Sequence, residues 1–429
     1  MEREISVSKI NFISKIEVYM SLNATPSANR LHIGIFGKVN SGKSSFLNAF
    51  TGQDVSIVSD VAGTTTDVVT KAMEVAPLGP CVFIDTAGFD DTTELGEART
   101  NRTRQAMEKC DMAIFIIADH QEDFEEDALE EEKEWYQYLL SKKIPVLVLI
   151  NCMENTDFVK AREYSLDILL EKVKGFTKET PIVINAKSGK GMELVKEALV
   201  RKMPENFELP FITGDLVGEG DVVMLVMPQD AQAPKGRLIL PQVQTIRELL
   251  DRRCIIVSVT PEKMKEALEQ LVKSPKLIIT DSQVFKIVYE MTPKESMLTS
   301  FSVLFAAYKG DLPYYIEGAK AIDSLTETSR VLIAECCTHA PLTEDIGRVK
   351  IPNMLKKRYG LGLTVDIVSG MDFPQDLTSY DLIIQCGGCM FNRRYILSRI
   401  ERAKSQAVPM TNYGVTIAHL TGILDKVTY

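Results

Sequence analysis

Short apolar runs alternate with longer amphipathic stretches along most of this 429-residue chain. Short apolar runs bounded by polar or glycine-rich segments are typical of buried strands, and apolar positions three or four residues apart are typical of helices. Alternation of the two indicates βαβ units and parallel sheets. The pattern therefore predicts an α/β fold, and a length prior of about 150 residues per domain predicts roughly three domains.

The alternation divides the chain into three blocks behind an N-terminal extension, residues 1–27. We predict domains at 28–203, 208–281 and 282–429, each an α/β unit. Strands are predicted at HIGIFG, CVFID, MAIFIIA, VLVLI and IVINA in the first block, DVVMLVM, CIIVSV and KLIIT in the second, and RVLIAE, LTVDIV and DLIIQC in the third. The second block offers few places for chemistry, which favours a packing or dimerisation module.

Charge and composition exclude several classes of protein. The 59 acidic residues outnumber the 49 basic ones, for a formal charge of −10, which argues against nucleic-acid binding. No apolar run approaches the roughly 20 residues that span a bilayer, and the N-terminus has no signal-peptide pattern. Eight cysteines are too few for a disulfide scaffold. We therefore expect a cytoplasmic protein with reduced thiols and neither a membrane nor a nucleic-acid partner.

Residues 37–44 read GKVNSGKS and match GxxxxGK[ST] between a predicted strand and a predicted helix. Glycines let backbone N–H groups surround phosphate oxygens at the start of a helix. Lys43 is expected to reach the β- and γ-phosphates, and Ser44 to hold Mg²⁺. The predicted nucleotide-binding residues of this P-loop are Gly37, Asn40, Ser41, Gly42, Lys43, Ser44 and Ser45.

Two further motifs follow in the order of a GTPase switch pair. GTTTD contains Thr65, which we expect to contact Mg²⁺ and the γ-phosphate. DTAG contains Asp85, expected to bind Mg²⁺ through water, and Gly88, whose N–H is placed to contact the γ-phosphate. With Lys43, these are the predicted catalytic residues. Phe89 replaces a residue able to orient water, so slow hydrolysis assisted by a cation or partner is predicted.

The motif that reads the base is altered. GTPases usually carry Asn-Lys-x-Asp after this strand, whereas this chain has Asn151-Cys152-Met153-Glu154. Glu154 keeps a carboxylate for guanine but with one more methylene, so a weakened or altered guanine preference is expected. Asn185, Ala186 and Lys187 stand where the last guanine-contacting loop belongs.

GKVNSGKSS, GTTTD and DTAG together resemble the TrmE–Era branch of GTPases. In the potassium-activated members of that branch, an asparagine at the place of Asn40 helps to bind K⁺ beside the phosphates. The resemblance implies that K⁺ supplies the positive charge that an arginine finger supplies elsewhere.

The second chemical signal is a group of cysteines in the last block. Cys337-Thr338-His339 follows one predicted strand, and Cys386-Gly387-Gly388-Cys389 closes another. Ligands gather at the carboxyl ends of parallel strands, and three thiolates there can hold three irons of a 4Fe–4S cluster. His339 is then the nearest candidate for the fourth iron. Zinc, a redox dithiol and buried structural cysteines remain open alternatives, and Cys336 is interpreted as a packing residue.

A P-loop domain joined to CTH and CGGC resembles the HydF family of FeFe-hydrogenase maturation GTPases. The resemblance extends from about Leu22 and includes GDVVMLVMPQDAQAPKGRLILPQVQ, LTSFSVLFAAYKGDL and MTNYGVTIAHLTGIL. Many members carry CxH…HCxxC, but Gln385 precedes Cys386 in this chain, which removes one potential histidine ligand.

This resemblance implies a P-loop GTPase domain, a small dimerisation domain and an iron–sulfur cluster domain in a homodimer. It implies GTP or GDP, Mg²⁺ and K⁺ at the first domain, and a 4Fe–4S cluster on Cys337, Cys386 and Cys389. It further implies a transient diiron subcluster precursor, with radical-SAM maturases and apo FeFe-hydrogenase as partners. An Era-like GTPase acting on RNA, a zinc-stabilised interaction module and a GTP-responsive iron–sulfur sensor are the competing hypotheses.

Overall fold

Three sheets contain the strands of the described chain. The computed structural model describes residues 27–52, 69–86, 96–119, 129–152, 159–204, 210–228, 238–336, 346–388 and 391–429. Within these ranges no helix combines the length and the apolar content that crossing a membrane requires.

The first sheet has six strands in the order β2-β3-β1-β4-β5-β6. All neighbours are parallel except β2 and β3, which pair antiparallel. The strands are β1 Leu31–Phe36, β2 Val69–Val75, β3 Gly79–Asp85, β4 Met112–Ala118, β5 Val146–Asn151 and β6 Ile182–Ile184. The helices are α1 Lys43–Thr51, α2 Gly96–Met107, α3 Glu130–Ser141, α4 Val159–Phe176 and α5 Met192–Lys202.

The central strands explain why the apolar runs were visible in the sequence. Every residue of β1, β4 and β5 is buried, because helices cover both faces of a parallel sheet. Separate apolar cores form on the two faces, one around Phe46 and the other around Phe115. Loops that follow β1, β3 and β5 therefore emerge at one edge of a rigid layer.

The second and third sheets are all parallel, with orders β10-β9-β7-β8 and β12-β11-β13-β14. The strands are β7 Val222–Val226, β8 Ile255–Val259, β9 Leu277–Thr280, β10 Met297–Ser300, β11 Arg330–Ala334, β12 Thr364–Val368, β13 Leu382–Gln385 and β14 Met410–Asn412. The helices are α6 Leu240–Asp251, α7 Met264–Gln270, α8 Phe285–Met291, α9 Phe301–Lys309, α10 Leu312–Lys320, α11 Ile351–Tyr359, α12 Arg393–Ser405 and α13 Tyr413–Leu420.

Side-chain caps define where the helices of this part begin. Ser300 accepts a hydrogen bond from the N–H of Val303 at the start of α9, and Asn392 accepts one from the N–H of Tyr395 at the start of α12. Such caps satisfy N–H groups that the first helical turn leaves unpaired. The capping residue Asn392 lies four residues beyond Gly388, and α12 begins at the next residue, Arg393.

One apolar core joins the second and third sheets. It includes the strand residues Met224 and Ile278 of the second sheet and Leu332 and Ile383 of the third. Because they share one contiguous core, the two sheets pack against each other and are not separate units joined by a linker. The CGGC segment therefore lies within reach of side chains from the second domain.

The structure differs from the sequence expectation at three strands, two of which are short. β2, β10 and β14 were not predicted as strands. β10 pairs with β9, so the second sheet reaches Ser300, beyond the predicted boundary at 281/282. The four residues MLTS and the three residues MTN carry too little periodicity to indicate a strand, and tertiary pairing decides their conformation.

Candidate functional site

The loop between β1 and α1 has the curled backbone that phosphate binding needs. Gly37 and Gly42 have φ values of 155° and 91°, and Asn40 has a φ of 61°. A Cβ atom built on Gly42 would lie 2.2 Å from the side-chain nitrogen of Asn151, and one on Gly37 would lie 2.4 Å from the carbonyl oxygen of Ile116. Side chains are excluded at both positions, so backbone N–H groups line the loop.

Lys43 is buried and holds the loop from inside. Its Nζ donates hydrogen bonds to the carbonyl oxygens of Gly37, at 2.9 Å, and of Lys38, at 2.6 Å. The ammonium group thus sits at the mouth of the loop, where phosphate oxygens of a nucleotide would meet it. The predicted contact of Lys43 with the β- and γ-phosphates stays a prediction.

Ser44 and Asp85 form a pair suited to Mg²⁺. The Ser44 hydroxyl donates to Asp85 Oδ2 at 3.1 Å, and Asp85 Oδ1 is buried with no hydrogen-bond partner among the described residues. Burial raises the pKa of the Asp85 carboxyl above its usual range, while the Ser44 hydrogen bond and the Lys43 charge lower it. Hard oxygen donors and an unsatisfied buried carboxylate oxygen fit a hydrated divalent cation.

Asn151 connects the P-loop to the loop that follows β6. Its Nδ2 donates to the carbonyl oxygen of Ser41 at 3.1 Å, and its Oδ1 accepts from the N–H of Ala186 at 2.9 Å. Asn185 shapes the second loop, because its Oδ1 accepts from the N–H of Ser188 and its Nδ2 donates to the carbonyl oxygen of Cys152. The sequence indicated that these residues share a site, but not that Asn151 braces it.

The remaining predicted nucleotide residues divide into two groups. Ser41 is buried, whereas Asn40, Ser44, Ser45 and Lys187 are exposed at the same edge of the sheet. Three other predicted residues lie outside the described residues, namely Thr65, Gly88 and Glu154. Their predicted roles stay predictions.

The cysteine segment begins where two neighbouring strands end. β11 and β13 pair in parallel, with Ala334 opposite Gln385, so Cys336 and Cys386 leave the sheet side by side. The backbone N–H of Cys336 donates to Cys386 Sγ at 3.1 Å. Cys337, His339 and Cys389 lie outside the described residues, and within the described ranges no group of three or more metal-ligating side chains occurs.

Cys336 belongs to the polar surroundings of Cys386. Its thiol is buried and accepts a hydrogen bond from Gln385 Nε2 at 3.0 Å. Burial raises the pKa of the Cys336 thiol well above its usual range, and the neighbouring Cys386 thiol raises it further. At neutral pH Cys336 is therefore a protonated thiol, a donor and acceptor of hydrogen bonds rather than a ready ligand.

Sequence reasoning missed two buried cations beside this segment. Lys309, at the end of α9, donates to the carbonyl oxygens of Gly388 at 2.9 Å and Phe391 at 3.0 Å. Arg399, on α12, donates to Gln385 Oε1 at 3.0 Å. A signal for the arginine was present, because position 399 falls on the apolar stripe of α12 rather than on its polar face.

Three protein-family models match successive parts of this chain. Residues 32–152 match a model described as 50S ribosome-binding GTPase. Residues 212–310 match the Hydrogen maturase F dimerization domain, and residues 313–428 match the Hydrogen maturase F tetramerization domain. The chain belongs to the hydrogen maturase F family. The predicted family resemblance, the α/β fold and the presence of a GTPase domain are confirmed.

The similarity to other GTPases covers only part of this chain and only part of each curated relative. The chain is 31% identical over 179 residues to the tRNA modification GTPase MnmE of Aquifex aeolicus, covering 41% of this chain and 35% of that protein. It is 32% identical over 185 residues to the GTPase Der of Wolinella succinogenes, covering 42% and 37%. A crystal structure of Era from Aquifex aeolicus, bound to GDP and aluminium fluoride, covers 56% of this hydrogen maturase F chain and 97% of that one, at 20% identity and a TM-score of 0.33. This chain therefore spans little more than a third of the length of the two curated relatives.

Proposed function

We propose that this hydrogen maturase F chain is a maturation factor for FeFe-hydrogenase, a GTP-hydrolysing scaffold and carrier. It holds a 4Fe–4S cluster, assembles the diiron subcluster precursor with radical-SAM maturases and delivers it to the apo-hydrogenase. The observation that carries the proposal is the pair of maturase-family matches, over 212–310 and 313–428, behind the GTPase domain. Their descriptions support a homodimer with a further level of assembly, and the −10 charge supports protein rather than nucleic-acid partners.

The first domain hydrolyses GTP in this proposal. N–H groups of residues 37–42 and the Lys43 ammonium group stabilise the charge on the phosphoryl group being transferred. Ser44 and Asp85 hold Mg²⁺, which neutralises charge on the β- and γ-phosphates. Asn40 contributes to a K⁺ site beside the phosphates. Asn151 holds the phosphate loop and the loop after β6 in a fixed relative position through its two hydrogen bonds. Hydrolysis is slow, since Phe89 offers no group to orient the attacking water.

The third domain holds the iron–sulfur cluster through Cys337, Cys386 and Cys389. Thiolate sulfur is the donor that iron–sulfur clusters prefer. Cys386 is half-buried at the end of β13, and the next position is open, because a Cβ built on Gly387 meets nothing within 4 Å. When bound through these cysteines, the cluster would supply an iron with an exchangeable coordination position for a ligand of the diiron precursor. His339 stays the candidate for that position.

Contacts between the first and third domains support a link between nucleotide state and cargo. Helix α2 ends at Met107, and the next residues contact the helix that follows the CGGC segment. Glu108 forms an ion pair with Arg402, and Asn392 Nδ2 donates to the carbonyl oxygen of Lys109 at 2.7 Å. We propose that the nucleotide biases this interface between two arrangements rather than driving bond formation at the cluster.

Anaerobic reconstitution with iron and sulfide tests the proposal. Cys386→Ser is expected to lose the 4Fe–4S paramagnetic resonance signal and hydrogenase activation while it retains GTP hydrolysis. Lys43→Ala is expected to lose hydrolysis and retain the cluster. Cys254→Ser is the matched control, because this cysteine lies in the second domain with its sulfur 3.2 Å from the carbonyl oxygen of Gly218. A full 4Fe–4S signal in Cys386→Ser would contradict the proposal.

A further inference from the structure

A fully buried guanidinium group lies beside the candidate cluster segment. Arg399 is 0% exposed, and its Nε has no hydrogen-bond partner among the residues that the structure describes. Its other nitrogens donate to neutral groups, including the carbonyl oxygen of Gly370 at 2.6 Å and Gln385 Oε1 at 3.0 Å. Among the described residues Arg399 forms no ion pair, because the nearby carboxylates of Glu335 and Glu108 pair with Arg348 and Arg402. Buried charges are normally paired, because an unpaired one costs several kcal/mol.

The guanidinium group is connected to the cysteines by one side-chain amide. Gln385 accepts from Arg399 through Oε1, and its Nε2 donates to Cys336 Sγ at 3.0 Å and approaches Cys386 Sγ at 3.8 Å. Arg399 Nη1 itself lies 3.6 Å from Cys336 Sγ. Both donor groups thus direct positive potential at the sulfur atoms where β11 and β13 end.

Aromatic rings complete the surroundings of this charge. The guanidinium carbon lies 4.8 Å from the ring centres of Phe373 and Tyr395 and 5.9 Å from that of Phe391. Ring faces attract a cation but carry no net charge, so they compensate only part of the cost of burial. Within the described part of the chain, no anionic side chain pairs with the charge of Arg399.

We propose that Arg399 is a positioning residue whose charge is matched by an anionic iron–sulfur cluster bound at Cys386. The inference rests on the proposed function and deepens it, because it assigns the cluster's counter-charge to this chain. A nearby positive charge stabilises the reduced, more negative state of the cluster, so Arg399 raises its reduction potential. Gln385 links Arg399 to Cys386, because its Oε1 accepts from Arg399 at 3.0 Å and its Nε2 lies 3.8 Å from Cys386 Sγ.

A second buried cation contacts the same segment. Lys309 is 2% exposed and donates to the carbonyl oxygens of Gly388 and Phe391, on either side of the last cysteine of CGGC. It belongs to the second domain, within the match to the family's dimerization model. Two buried cations therefore lie beside the described part of this segment, which favours an anionic ligand there.

The test supplies the Arg399 guanidinium group with a carboxylate partner and leaves the arginine in place. Gln385→Glu places a carboxylate of the same shape 3.0 Å from the guanidinium group. After anaerobic reconstitution, we expect the ratio of reduced to oxidised cluster to fall about tenfold at a fixed solution potential, equivalent to about 59 mV for one electron. The apo-protein is expected to unfold at the same urea concentration or a higher one, since its buried charge is now paired. Ser405→Glu, which adds the same charge at the exposed end of α12, is expected to leave the potential unchanged.

Variants of Arg399 test the same role without a new carboxylate, whose own negative charge also lowers the reduction potential. Arg399→Met is expected to lower the potential in the same direction, and Arg399→Lys, which keeps the charge, is expected to recover part of it. If the wild type takes up a 4Fe–4S cluster but Gln385→Glu and Arg399→Met share its potential, the role of Arg399 is refuted and the proposed function stands. If the wild type takes up no cluster, the proposed function itself fails.

Discussion

Asn151 offers the sharpest mutational test of the nucleotide site. The side chain is 4% exposed and makes two hydrogen bonds, to the carbonyl oxygen of Ser41 and from the N–H of Ala186. Asn151→Ala leaves both backbone groups buried without these partners, at a cost of about 1–3 kcal/mol each. We expect the free energy of unfolding of the first domain to fall by about 3 kcal/mol. We also expect GDP to bind at least tenfold more weakly, equivalent to about 1.4 kcal/mol, because the two loops lose their shared brace.

The chain provides its own reporter for this measurement. Its single tryptophan, Trp135, is buried on α3 of the first domain, so its fluorescence follows the unfolding of that domain in urea. Asn353→Ala, the same replacement at an exposed position of α11, serves as the control and should change neither quantity. A loss below about 0.5 kcal/mol in Asn151→Ala, with GDP affinity equal to that of the wild type, would refute the bracing role, since two buried groups cannot lose their partners at so small a cost.

Three further perturbations follow from the same structure. Gly42→Ala is expected to abolish nucleotide binding, because its Cβ would lie 2.2 Å from Asn151 Nδ2; GDP titration that shows wild-type affinity would contradict this. Ser44→Ala is expected to raise the Mg²⁺ concentration for half-maximal GTP hydrolysis more than tenfold, since Asp85 loses its partner, and an unchanged Mg²⁺ dependence would count against the pair. Burial lowers the pKa of Lys109 from 10.5 to about 8, so the unfolded chain binds more protons between these values and stability from this group rises with pH across that window. Urea unfolding should show the wild type gaining stability relative to Lys109→Met from about pH 8 to pH 10, and parallel pH profiles would exclude the effect.

The parts of the fold that the sequence reveals are those governed by local patterns. Strands β1, β4 and β5 are buried on both faces, so their continuous apolar runs indicate them directly. The P-loop is equally visible, because GKVNSGKS specifies both the backbone curl and the lysine. β10 and β14 are too short to carry such a pattern and exist because a neighbouring strand pairs with them.

The parts of the site that the sequence conceals depend on contacts between distant residues. Asn151 lies 110 positions from Ser41, and Arg399 lies 63 positions from Cys336. No sequence motif predicts that α12 buries Arg399 against the end of β13. None predicts that Lys309, in the match to the dimerization domain, contacts Gly388. The contacts of Arg399 and Lys309 depend on the apolar core that the second and third sheets share.

The most direct test of the central claim is the metal content and paramagnetic resonance of the anaerobically reconstituted wild type. A GTPase joined to an iron–sulfur scaffold predicts about four irons and four sulfides per chain. It also predicts a reduced 4Fe–4S spectrum that changes when cyanide is added, because one iron keeps an exchangeable ligand. Stoichiometric zinc in place of iron, or a spectrum that cyanide leaves unaltered, would contradict the account.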